Sequence, residues 1–134
     1  MIKYLIDTSI CIYIMNKRPV NIIHKFKQFD VGEIGVSTIT VSELQYGIAK
    51  SNNRKVNKQR LEEFLSPLEL LPYDEIAANT YGDIRYQLET RGQPIGPLDL
   101  LIAAHALSLK LVLITNNEKE FKRIRNLKVE NWTK

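Results

Sequence analysis

The sequence predicts an α/β domain built on a mostly parallel central sheet. Three observations carry that expectation. Short apolar runs alternate along the chain with stretches at helical spacing. One run, Leu111-Val112-Leu113-Ile114, is apolar throughout, as a strand covered on both faces must be. The 134 residues suit one domain spanning 1–134, with no internal repeat or linker to divide it.

Each element has its own local justification. Lys3–Ile6 reads as a buried strand, closed by Asp7-Thr8-Ser9 as a helix start. Ile10 and Ile14 continue that helix to about Asn16. Lys17-Arg18-Pro19 breaks it, and Pro19 suits the first position of a second helix running to about Phe29. Ile34–Val36 is a second strand. A helix follows from about Val41 to Lys50, and Thr40 with Glu43 matches a capping box. Lys55–Leu65 is a further helix, and Leu68–Leu71 a third strand. Asp74-Glu75 opens the longest helix, which runs to about Thr90. The Gln93–Pro97 loop precedes a helix through Leu98, Leu101, Ile102, Ala106 and Leu109. Beyond the Leu111–Ile114 strand, Asn116-Asn117 opens a short helix ending near Phe121. Leu127–Val129 is a last, weaker strand.

Composition excludes several chemistries. A single cysteine, Cys11, permits no intrachain disulfide and fits a reducing cytoplasm. With only His24 and His105 beside it, a structural zinc site is not expected. No apolar run approaches the ~20 residues that cross a membrane, and no signal-peptide pattern opens the chain. Lys plus Arg total 19 and Asp plus Glu total 15, a net charge of +4 that permits a polyanionic partner without requiring one.

The acids fall where an α/β sheet gathers its functional groups, beyond the carboxyl ends of the strands. Asp7 follows the first strand, Glu43 the second, and Asn117 and Glu120 the Leu111–Ile114 strand. Asp99 opens the helix after Gly96-Pro97. Singly, each is a plausible cap or first-turn acid: Asp7, Asp99 and the Asn117–Glu120 pair all have that reading. Together, acids converging on one edge repel one another unless a cation joins them, and an all-oxygen donor set suits Mg²⁺ or Mn²⁺. Lys17, Arg18, Lys50, Arg54, Arg85 and Arg91 are candidate phosphate contacts, with a solvated surface as the equal alternative.

The segments Leu5–Ser9, Ser37–Gly47, Pro94–Ala106 and Val112–Phe121 resemble, in order, the motifs of PIN-domain nucleases, and among them the VapC toxins of type II VapBC modules. The resemblance covers essentially the whole chain. It implies a three-layer α/β/α sandwich and a Mg²⁺-dependent (or Mn²⁺-dependent) endoribonuclease. Asp7, Glu43 and Asp99 match the acidic metal-binding positions. Asn117 stands at a fourth position that is usually aspartate, and Glu120 is a candidate for the missing charge. Ser9 replaces a common asparagine, and Thr8 and Thr115 match hydroxyls that orient the acids. The resemblance further implies a structured RNA substrate (tRNA, with initiator tRNA among the subgroup's targets), a VapB-type antitoxin partner, homodimerisation, and DNA contact only through the antitoxin. Ile10, Ile14, Ile22, Phe26, Leu44, Leu61, Phe64 and Leu65 are candidates for burial against that partner, with core packing as the competing account. A DNA or flap nuclease of related fold and a PIN domain that only binds a partner are the remaining alternatives. A phospho-acceptor regulator fits poorly, because Asp7 is followed by Thr8 rather than a second acid.

Overall fold

The structure, a computed structural model, describes residues 1–134. Its elements in chain order are β1 (Tyr4–Ile6), α1 (Thr8–Asn16), α2 (Val20–Lys27), β2 (Ile34–Ser37), α3 (Thr38–Ala49), α4 (Arg54–Leu65), β3 (Glu69–Leu71), α5 (Glu75–Thr90), α6 (Pro97–Ser108), β4 (Val112–Ile114), α7 (Glu118–Phe121) and β5 (Val129–Glu130). The five strands form one sheet in the order β3-β2-β1-β4-β5. Every pairing is parallel. No helix is long and apolar enough to cross a membrane.

Strand pleat divides the core into two layers. Successive side chains point to opposite faces, so neighbours on one strand serve different layers. Leu5 and Leu113 pack with Ile84 and Leu88 of α5 and Ala103, Ala104 and Ala106 of α6. Ile6 and Ile114 pack on the other face with Ile10 and Ile14 of α1, Leu44 of α3 and Leu61 of α4. The small residues of α6 let α5 lie close against it, as the sequence pattern anticipates. Trp132 closes the second layer beside Tyr4 and Phe29; the Phe29 and Trp132 rings stack with centroids 4.8 Å apart.

The chain winds from β1 outward to β2 and β3, then returns to place β4 on the other side of β1. That reversal opens a crevice at the carboxyl ends of β1 and β4, where an open parallel sheet binds its ligands. Asp7 immediately follows β1, and Thr115 immediately follows β4.

Four boundaries differ from the sequence expectation. Helix α3 begins at Thr38, three residues early, because the Ser37 hydroxyl accepts the Ile39 N–H at 3.1 Å and caps the helix there. Thr40 is therefore inside the helix and fully buried, and the Thr40–Glu43 capping box does not form. Pro19 precedes α2 instead of opening it. Asn117 precedes α7 without a side-chain capping bond. The last strand lies at Val129–Glu130 instead of Leu127–Val129: Asn126 turns the chain in a left-handed conformation (φ 70°), and Val129 is the residue that registers with Leu113.

Gly35 in β2 sits directly under neighbouring side chains. A Cβ there would meet Leu71 Cδ1 at 2.6 Å and Ile2 Cγ2 at 3.3 Å. Gly35→Val should destabilise the fold by about 1–3 kcal/mol through overpacking. Urea unfolding checks this, and an unchanged midpoint would show that Leu71 yields freely.

Candidate active site

The site is assembled from the ends of β1 and β4, the first turns of α1, α6 and α7, and the second turn of α3. Asp7 sets the geometry. Its Oδ1 accepts the Ile10 N–H at 2.9 Å, so it caps α1 as its position predicts. Its side chain is buried, with 4% of its surface exposed. The fully buried Thr115 donates its hydroxyl to the same carboxylate. The Thr115 oxygen in turn accepts the Asn117 N–H at 3.0 Å. One short chain of hydrogen bonds thus ties Asp7, Thr115 and the Asn117 backbone together.

Burial raises the Asp7 carboxyl from its ordinary range to about 6. The Thr115 and Ile10 bonds oppose that rise, and the charges of Asp99 and Glu43 add to it. Asp99 lies half-buried in the first turn of α6, two residues after Pro97 starts the helix. Its carboxyl is raised as well, first by burial and then by the charges of Glu120 and Glu43. The fold thus places Asp7 within electrostatic reach of Asp99 and Glu43, and Asp99 within reach of Glu120 and Glu43.

Glu43 is oriented by α1. The Thr8 hydroxyl donates to Glu43 Oε1 at 2.6 Å, and the buried Thr40 hydroxyl lies 3.4 Å from the Thr8 oxygen. Thr40 is a neighbour the sequence reading missed as a site residue. Its position one turn before Glu43, on the same helix face, is the signal that could have found it. Ser9 lies on the first turn of α1 and shares no hydrogen bond with these acids.

A buried polar link crosses from α6 to α3. His105 Nδ1 lies 2.8 Å from the Ser37 oxygen, and burial lowers the imidazole pKa. The neutral ring accepts the Ser37 hydroxyl proton, while the same oxygen accepts the Ile39 N–H. The helices carrying Asp99 and Glu43 are held in register by that contact.

The donor set around the crevice is carboxylate and amide oxygen. Cys11 is buried within the second core layer, and burial pushes its thiol up, which makes it a poor ligand. This chemistry fits a hard divalent cation. As placed, no three of the acids stand close enough to hold one ion together. Their mutual repulsion opposes tighter grouping, and a cation would remove it.

The six basic candidates are more dispersed than their sequence positions suggest. Lys17 ends α1 in a left-handed conformation, about 14 Å along the helix from Thr8 at 1.5 Å per residue. Arg18 follows it. Lys50 follows the end of α3, with its ammonium 4.8 Å from the centre of the Tyr46 ring. Arg54 opens α4. Arg85 pairs with Glu89 at 2.9 Å and with the Tyr81 hydroxyl at 3.0 Å. Arg91 donates to the Arg123 carbonyl at 2.9 Å.

A five-stranded parallel sheet with acids gathered at its β1/β4 crevice defines a PIN domain, and the chain belongs to the PIN-domain family, matching its model over residues 4–127. Within the family it groups with the VapC ribonucleases. It is 43% identical over 132 residues to ribonuclease VapC2 of Rickettsia felis, covering 98% of both chains. It is 38% identical over 133 residues to the tRNA(fMet)-specific endonuclease VapC of Shigella flexneri, covering 99% of this chain and 100% of that one. The fold superposes on the DNA-bound VapBC structure from Salmonella typhimurium with a TM-score of 0.93 and 41% identity, covering 98% of this chain and 99% of that chain.

The raised Asp7 pKa has a consequence for stability. Between the ordinary carboxylate value of 3.8 and about 6, the folded chain holds a proton that the unfolded chain has lost. This contribution of Asp7 to stability is therefore full below pH 4 and is lost as pH rises through 6. Asp7→Asn keeps a good cap and removes the buried charge. At pH 7 in EDTA it should gain about 1–3 kcal/mol over the wild type. Thermal unfolding at pH 4 and pH 7 checks this, and the advantage should vanish at pH 4.

Proposed function

We propose that the chain is a divalent-metal-dependent endoribonuclease, the toxin of a toxin–antitoxin pair, which cuts structured RNA and is restrained by a VapB-type antitoxin. The observation that carries the reading is the neighbourhood of acids at the β1/β4 crevice: Asp7 is raised by burial and by the charges of Asp99 and Glu43, and Asp99 by burial and by the charges of Glu120 and Glu43. Transfer RNA is the substrate class, and initiator tRNA the first candidate. This rests on whole-chain likeness to a relative whose name carries that specificity. Such a protein works in the cytoplasm.

Asp7 and Asp99 would hold the cation, with Glu43 and Asn117 completing its oxygen shell and Glu120 adding charge. A bound Mg²⁺ supplies the acidity that activates an attacking water and offsets charge on the phosphate. The residues do the rest. Thr115 holds the Asp7 carboxylate in one orientation. Thr8 holds Glu43 by Oε1, which leaves Oε2 to accept the proton of the attacking water. The Ser37–His105 contact ties the helices that carry Glu43 and Asp99 to one another.

The antitoxin has a fitting seat. A groove of about 270 Å³ runs between α1, α3 and α4, with Ile12, Met15, Leu44 and Ile48 along it and Glu43 and Arg60 at its polar positions. Ile12 is 41% exposed there. Of the apolar residues expected to face a partner, Ile10, Ile14 and Ile22 are buried in the chain's own core away from the groove. Leu44 and Leu61 are buried as well but line its floor, and the exposed contact comes from Ile12. Its continuity with Glu43 lets a bound segment reach the acids and block them.

Incubation of the purified chain with a total tRNA pool tests the reading. A discrete cut is expected with Mg²⁺ and none with EDTA. Asp99→Asn should lower the rate at least about 100-fold while leaving the circular dichroism spectrum unchanged. Wild-type cleavage by Asp99→Asn would remove that residue from the site.

A further inference from the structure

A second cleft opens beside the acids, and its chemistry is opposite. It has a volume of about 390 Å³ and no apolar lining residue. Asn116, Asn117 and Asn131 supply amides, and Lys119, Lys122 and Lys134 supply ammonium groups. All three lysines are exposed. None of them is among the basic residues that the sequence pattern singles out.

One carboxylate gathers two of the lysines. Glu118 accepts from Lys134 at 2.8 Å, from Lys122 at 3.3 Å and from Asn131 at 3.1 Å. These donors come from the residue that caps the end of α7 and from the segment beyond β5, so Glu118 draws cations from separate parts of the chain to one spot. The three contacts hold the Glu118 carboxyl down at about 2, so it stays charged under all ordinary conditions. One negative charge cannot cancel three positive ones, and the cleft keeps a surplus of two.

Its position gives that surplus a use. Asn117 lines the cleft, and its N–H is bound to the Thr115 hydroxyl that holds Asp7. The cleft and the acid crevice are thus two sides of the same β4–α7 turn. A polyanion approaching four carboxylates is repelled, and cationic groups beside them must offset that repulsion. Asn116 is itself fixed, donating to the Tyr13 hydroxyl at 2.7 Å, so the floor between the two sites is ordered.

We propose that this cleft is a phosphate-binding subsite for the RNA strand, holding a backbone phosphate next to the one cut at the Asp7 crevice through Lys119 and Lys122. Lys134 and Asn131 complete it, and Glu118 spaces the ammonium groups. The subsite deepens the ribonuclease reading and rests on it for the identity of the polyanion.

The test measures tRNA binding apart from cleavage. A total tRNA pool is titrated with the chain in EDTA at several salt concentrations, for the wild type, Lys119→Ala/Lys122→Ala and Lys119→Arg/Lys122→Arg. The alanine pair should weaken binding roughly ten-fold and flatten the slope of log Kd against log salt by about one for each phosphate that is no longer neutralised. The arginine pair should restore both. Equal affinity and slope in the alanine pair and the wild type would overturn the proposal, as would a wild type that binds no tRNA. A fall in Tm that accompanies the weaker binding and that arginine does not repair would assign the lysines to tethering the C-terminal segment, and would also overturn it. Binding that weakens as expected, with no Mg²⁺-dependent cut, would keep the subsite and reject the ribonuclease reading.

Discussion

The burial of one carboxylate organises this molecule. Asp7 sits at the end of the central strand with almost no surface exposed, and burial, the largest cause, pushes its ionisation up toward neutrality. A fold tolerates such a group only when its oxygens are bonded. Those bonds are what fix the local architecture. Ile10 supplies an N–H from the first turn of α1, and Thr115 supplies a hydroxyl from the end of β4. The strand, the helix it feeds and its sheet neighbour are joined at a single side chain. The cost of keeping a charge there becomes affinity for whatever cation relieves it.

The same logic extends outward through hydroxyls. Thr8, next to Asp7, reaches across to Glu43, and Thr40 packs behind Thr8. Ser37 caps α3 and meets His105 of α6. Each small polar group is buried or half-buried, and each has a partner; no buried side-chain nitrogen or oxygen lacks one. A network satisfied in this way is stiff, because breaking any one bond strands a partner in low dielectric. Stiffness suits acids that repel one another, since their spacing must survive the absence of the cation that unites them.

Charge of opposite sign is arranged at short range on the surface. The acids occupy the crevice between β1 and β4, and the Glu118-centred lysines occupy the next turn of chain. The small net charge of the whole chain hides this separation, because excess of each sign cancels in the sum. The apolar groove bounded by Ile12 and Leu44 meets the acids on their other side, at Glu43. A polyanion and an apolar peptide segment can therefore both reach the same acids from different directions.

Much of this was determined by the sequence alone. The parallel α/β architecture followed from the apolar runs at Leu5-Ile6 and Leu111–Ile114, since a strand buried on both faces has no choice of pattern. Asp7 as a cap and Asp99 in a first turn followed from short-range rules that need only neighbours in the chain. What only the tertiary structure decided depends on distance across the fold. The start of α3 turned on Ser37, whose capping bond forms where β2 ends and whose partner His105 is 68 residues away. Arg85 and Arg91 looked available in the chain and are engaged by Glu89, Tyr81 and the Arg123 carbonyl in the fold. The lysines of the second cleft are scattered over Lys119, Lys122 and Lys134, and only the turn of the chain after β5 brings the last of them to Glu118. Local pattern specifies which elements form and which residues end them. Which side chains meet is set by sheet order and helix packing, and those involve residues too far apart in sequence for any periodicity to record.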